Sequence, residues 1–142
     1  MLTANDIALV RASFAKVLPI KAAAADLFYS RLFEIAPQLR PMFPKDLKEQ
    51  KAKLMAMIAA AVGGLHDLAT LVPHVKALGA RHSGYGVTVA HYAIVGDALM
   101  WTLERGLGDE YTPEVRSAWA KVYGVLAGTM QAGAVEADMR AA

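Results

Sequence analysis

Val75-Lys76-Ala77-Leu78-Gly79-Ala80-Arg81-His82 is the stretch on which the reading of this chain turns. Val75, Leu78, Gly79 and His82 are spaced three, one and three residues apart, so they share one face of a helix. An imidazole at the end of that stripe points where valine and leucine point, into an apolar interior. Pro73 suits the first turn of this helix, which is expected to end at His82, before Gly84 and Gly86.

The same three-and-four spacing continues in both directions, and no stretch alternates with period two. Upstream, Asp46 with Glu49 opens a long helix that closes near Gly63-Gly64. Pro37, Pro41 and Pro44 crowd the segment before it into short turns, with room for one turn of helix. A second helix ends near Ala36, and Thr3 with Asp6 has the pattern of a capping box opening a first helix that Pro19 interrupts. Downstream, one helix runs from about Thr88 to Leu107. Thr112-Pro113-Glu114 then starts a last one reaching about Met139. The expected fold is all-α, in one domain over residues 1–142.

Composition narrows the function classes. Hydrophobic residues make up 56% of the chain, above the roughly 45–50% of ordinary soluble domains, which suggests a large core or a buried apolar ligand. The net charge is only +2 and acids are interspersed with bases, so nucleic acid is not an expected partner. The longest stretch without Asp, Glu, Lys or Arg, residues 82–96, is too short to span a membrane. The N-terminus shows no signal-peptide pattern, so the expected location is cytoplasmic. Without cysteine, thiolate chemistry and disulfides are excluded. Phosphate loops and nucleophile elbows are absent, and the four histidines lack zinc-site spacing.

What remains is a set of polar residues on apolar helix faces. His82 is either a core histidine donating to a backbone carbonyl or a neutral imidazole offered to iron as an axial ligand. Gln50 lies in a seam with Leu47, Leu54, Met57, Ala61 and Leu65, where an unpartnered amide would cost about 1–3 kcal/mol. It is either a satisfied core amide, a solvent-edge residue or a functional donor. Tyr29 shares a face with Ala22, Ala25, Leu32 and Ala36, and its hydroxyl needs a partner, structural or functional. Phe43 sits on a stiff turn between Pro41 and Pro44. Glu136 extends a stripe of Val122, Leu126, Thr129 and Gly133, with terminal solvation as the alternative reading.

In order and separation, these segments resemble the globins, in particular bacterial single-domain haemoglobins, the haem domain of flavohaemoglobins and neuroglobin-like chains. The resemblance covers the whole chain. It rests on Leu27-Phe28-Tyr29-Ser30-Arg31-Leu32-Phe33, Pro41-Met42-Phe43, Gln50 with Leu54, and Leu78-Gly79-Ala80-Arg81-His82. It continues through His91-Tyr92-Ala93-Ile94-Val95-Gly96, Trp119-Ala120-Lys121-Val122-Tyr123-Gly124 and Val135-Glu136-Ala137-Asp138.

That resemblance implies a three-over-three helical sandwich around haem b. It implies His82 as the proximal iron ligand, Phe43 as the aromatic against the porphyrin, and Tyr29 and Gln50 as distal donors. It also implies Leu54 as the apolar distal wall, Lys53 as a propionate partner, and Leu78 and Val87 lining the proximal side. Tyr92 and Glu136 match a proximal pair of the flavohaemoglobin type that would receive the His82 N–H. Two departures stand out: Gln50 replaces the distal histidine usual in neuroglobins, and Lys51 follows it where flavohaemoglobin-type domains often have proline. The implied function is binding of dioxygen, nitric oxide and carbon monoxide, with nitric oxide dioxygenation supported by a separate reductase. Weak peroxidase-like activity is a further expectation, and non-enzymatic oxygen storage, transport or gas sensing is the alternative.

Overall fold

Helix α1 (Ala4–Val17) begins at a capping box. Thr3 Oγ1 accepts from the Asp6 N–H and the Asp6 carboxylate accepts from the Thr3 N–H, both at 3.0 Å. These bonds satisfy donors that every opening helical turn leaves free. The computed structural model describes residues 2–141, and among them there is no strand. A 3-10 turn, Leu18–Ile20, leads into α2 (Lys21–Ile35), and a second 3-10 segment, Pro37–Met42, takes up the cluster of prolines. Then follow α3 (Lys48–Gly63), α4 (Leu68–Gly84), α5 (Val89–Leu107), a 3-10 turn at Gly108–Glu110, and α6 (Pro113–Ala141). Gly108 adopts a positive φ of 58°, a conformation that favours glycine, as the chain leaves α5.

Helix α4 packs most extensively on α6, α1 also lies against α6, and α2 packs on α5 and α3. One apolar cluster joins Val10, Phe14, Val62, Leu103, Trp119 and Val122 across α1, α3, α5 and α6. Its one indole is satisfied internally: Trp119 Nε1 donates to Ser13 Oγ at 2.8 Å, and the Ser13 hydroxyl donates to the Leu9 carbonyl at 2.7 Å. A second cluster contains Phe28, Tyr29, Leu32, Ala36, Leu39 and Ala98. Half-buried Phe43, Leu47, Leu54, Ile94 and Val95 pack against it. The fold is the all-α globin fold that the resemblance implied.

Most helix boundaries fall within a few residues of expectation, and α4 is the exception. Pro73 lies inside that helix instead of at its first turn. The helix starts earlier because Asp67 caps it, its carboxylate accepting from the Thr70 N–H at 3.4 Å and the Thr70 hydroxyl at 2.7 Å. Pro73, in the second turn, lacks the N–H that would donate to the Ala69 carbonyl, so α4 forgoes that intrahelical bond. At the other end α4 runs past His82 to Gly84, and the Gly86 N–H donates to the Ser83 carbonyl.

Candidate functional site

Tyr29 and Gln50 are brought together. Tyr29 on α2 is only 4% exposed, and Gln50 stands at the start of α3 as a half-buried amide. Burial pushes the Tyr29 phenol up from its ordinary pKa, and the nearby Gln50 side chain draws it partly back. The phenol therefore remains an O–H donor at neutral pH. Its ring is boxed by aromatics, 5.1 Å from Phe28, 5.9 Å from Phe33 and 5.7 Å from Phe43 between centroids.

Two devices hold this group, and neither is visible in helical periodicity. Lys51 Nζ pairs with Asp26 at 2.8 Å, tying the first turn of α3 to α2 beside Tyr29 and Gln50. The lysine that departs from the usual proline thus anchors the helix that carries the amide. As a largely exposed pair it contributes mainly geometry rather than stability. The Arg40 guanidinium lies 5.1 Å over the Phe33 ring and donates to the carbonyls of Phe43, Pro44 and Lys45 at 3.3, 2.9 and 3.0 Å. That staple fixes the turn on which Phe43 stands. An arginine between two prolines was the signal for it.

Leu54, one turn beyond Gln50, is half-buried against the same cluster. Lys53 is exposed.

His82 belongs to a second group, on α4 and the turn after it. Its Nδ1 lies 2.8 Å from the Leu78 carbonyl, one helical turn back. A carbonyl only accepts, so in this bond Nδ1 carries the proton and Nε2 is left with a free lone pair. The ring is thus anchored to backbone, as a core histidine would be, and its other nitrogen is the one available to a ligand. Val87 is brought back to it by its N–H, which donates to the His82 carbonyl at 3.1 Å. Leu78, His82 and Val87 are all half-buried. A neutral imidazole with its second nitrogen fixed, together with half-buried Leu54, Leu78, Val87, Ile94 and Val95, fits an apolar planar group carrying iron.

Glu136 is not brought to His82. Its carboxylate accepts from Lys76 Nζ at 3.0 Å and is about half exposed. The reason lies in helix register. A Cβ on Gly79 would come within 1.9 Å of the Met130 carbonyl oxygen, and one on Gly133 within 2.1 Å of the Lys76 carbonyl oxygen. The two helices therefore run antiparallel in near-backbone contact, with Gly79 level with Met130 and Lys76 level with Gly133. His82 lies one way along this crossing and Glu136 the other. At 1.5 Å per residue the two are offset by about 13 Å along the axes. The expectation that Glu136 receives the His82 N–H is corrected: Leu78 receives it.

Tyr92, the expected partner of Glu136, is half-buried on α5 and its phenol is raised by burial. Its neighbour is Tyr123, whose hydroxyl donates to the Tyr92 carbonyl at 2.6 Å and whose ring would press on any Cβ at Gly96. Burial holds the Tyr123 phenol far above its ordinary range, so it keeps its O–H proton at neutral pH and can donate to the Tyr92 carbonyl. His91 has a local duty, its Nδ1 accepting from the Thr88 N–H at 3.0 Å to close the cap of α5.

Comparison with known proteins agrees with this geometry. The family model described as Globin matches residues 26–130. The chain is 35% identical to a flavohaemoprotein of Bacillus subtilis over 103 residues, which is 70% of this chain but 26% of that protein. It is 32% identical to neuroglobin of Tetraodon nigroviridis over 146 residues, 93% of this chain and 92% of that one. Neuroglobin-2 of Oncorhynchus mykiss gives the same identity and coverage. Among solved structures, an engineered carbene transferase from Rhodothermus marinus, assigned as a nitric oxide dioxygenase, superposes with a TM-score of 0.85. It covers 96% of this chain at 24% identity, a likeness of fold. With the family model spanning most of its length and neuroglobins aligned nearly end to end, the chain belongs to the globin family.

Proposed function

We propose that this globin binds haem b between the two groups of side chains and uses it to bind dioxygen, nitric oxide and carbon monoxide, with nitric oxide dioxygenation as its reaction. The observation that carries this reading is buried Tyr29, boxed by Phe28, Phe33 and Phe43, with the Gln50 side chain near its phenol. When bound, haem supplies a ferrous iron at which nitric oxide, dioxygen and one electron give nitrate. The sequence contains no cysteine, so attachment through cysteine thioether bonds cannot occur.

Each residue has a part in this account. His82 would hold the iron through Nε2, its ring oriented by the Nδ1–H bond to the Leu78 carbonyl. Tyr29 O–H and Gln50 N–H would be the donors offered to a diatomic ligand that gains negative charge. Such bonds contribute about 1.5–3 kcal/mol each, and retaining oxygen until nitric oxide arrives is what they favour. Phe43 would pack on the porphyrin, Leu54 would exclude water, Leu78 and Val87 would line the side of His82, and exposed Lys53 would pair with a propionate. Tyr92 is assigned to the proximal wall without a carboxylate partner. We place the electron supply with a separate reductase and the protein in the cytoplasm; no described helix is long and apolar enough to cross a membrane.

One observation favours non-enzymatic oxygen storage as a second reading. A backbone carbonyl is a weaker acceptor than a carboxylate, so the imidazole here gives less electron donation than Glu136 would have supplied. Peroxidase-like activity is accordingly not part of the proposal. Mixing reduced, air-equilibrated protein with nitric oxide separates the readings. Dioxygenation predicts stoichiometric nitrate and continued consumption when an electron donor is added. Slow consumption without nitrate would leave storage as the function.

A further inference from the structure

We infer that the glycine crossing of α4 and α6, latched by Lys76 and Glu136, is the device that positions His82. Gly79, Gly133, Lys76 and Glu136 are thus positioning residues acting through α4, an inference that rests on the haem reading above. Gly79 lies three residues before His82 and next to Leu78, whose carbonyl orients the ring. Both glycines are buried, and each stands where the opposite helix leaves no room for a methyl group. Real Cβ atoms essentially never come within 3.0 Å of another atom, whereas here the gaps would be 1.9 and 2.1 Å against backbone carbonyls. Backbone cannot swing aside as a side chain can. An added methyl must therefore displace one helix from the other by about an ångström, and α4 carries His82 with it.

The ion pair completes the clamp. Two backbones in close contact can still slide along one another, and the Lys76–Glu136 bond lies on the side of the crossing away from His82. It resists sliding of α4 along α6. Glu136 thereby acts on the site through the helix that bears His82 and not through the imidazole N–H.

Not every glycine of α6 is of this kind. A Cβ on Gly128, five residues before Gly133 on the same helix, would meet nothing within 4 Å. That contrast supplies an internal control, because Gly128→Ala adds the same methyl without moving a helix.

The test is the iron–histidine stretch in resonance Raman spectra, with the reduction potential, on haem-loaded full-length protein. Gly133→Ala is expected to shift that band by several wavenumbers and to move the potential, while Gly128→Ala leaves both at wild-type values. A folded, haem-loaded Gly133→Ala with an unchanged band overturns the inference. Should Gly133→Ala fail to fold, the latch variants decide. Lys76→Met and Glu136→Gln are expected to give matched, smaller shifts, with the double variant no larger than either alone. Wild-type bands in both overturn the clamp. A fall of the band in Glu136→Gln without one in Lys76→Met also overturns it, since Glu136 would then be acting on His82 directly. Failure of the haem reading is distinct from all of these: the wild-type protein itself would show no iron–histidine band.

Discussion

Replacing His82 with alanine is expected to abolish haem ligation while the chain stays helical. The ring contributes little to the core, being half-buried at the end of α4 and bonded only to a carbonyl of its own helix. Its removal therefore spares both apolar clusters. Haem affinity should fall by more than about a hundredfold, since loss of a mere outer partner of a metal ligand already costs about 10- to 100-fold. Imidazole added to the solution should restore a ligated spectrum, because the space and the apolar walls remain. Resonance Raman spectroscopy with circular dichroism checks both halves. An axial-histidine band that persists in His82→Ala would remove the residue from the iron. His66, His74 and His91 would be the only alternatives, and His91 is already engaged at the cap of α5.

The second large effect is expected on the distal side. Tyr29→Phe and Gln50→Leu should each accelerate oxygen release by roughly ten- to a hundredfold. That range follows from about 1.5–3 kcal/mol per charge-assisted bond at about 1.4 kcal/mol per factor of ten. The double variant should fall short of the product of the two, because residues that share a partner couple. Stopped-flow displacement of oxygen measures all three. Wild-type release rates in both single variants would take the pair out of the distal site.

Helix number and faces were readable from the chain because each rests on local chemistry. Thr3 with Asp6, Thr112 before Pro113 and the Gly63-Gly64 pair act within a turn or two of themselves. The start of α4 was misjudged because two local signals compete there, and the capping carboxylate of Asp67 outweighs the preference of Pro73 for a first turn. Tyr29, Gln50 and Leu54 could each be assigned to an inward face, yet only the resemblance implied that they meet. Glu136 shows the limit most clearly. A stripe on α6 fixes which face the carboxylate occupies, but its partner depends on how far α6 is slid against α4. That register is set by the contact of Gly79 with Met130 and Gly133 with Lys76, between residues more than fifty apart. Similarly, Lys51 reads as a departure from a family pattern until Asp26 is found opposite it.

The central claim is that this chain holds haem through one neutral histidine, with a tyrosine and a glutamine on the other side. Its most direct measurement is the absorption spectrum of the wild-type protein supplied with haem, oxidised and then reduced with and without carbon monoxide. The account predicts stoichiometric uptake, a sharp Soret band, a five-coordinate ferrous form and a clean shift of that band under carbon monoxide. A folded, helical protein giving only the broad spectrum of unligated haem would contradict it.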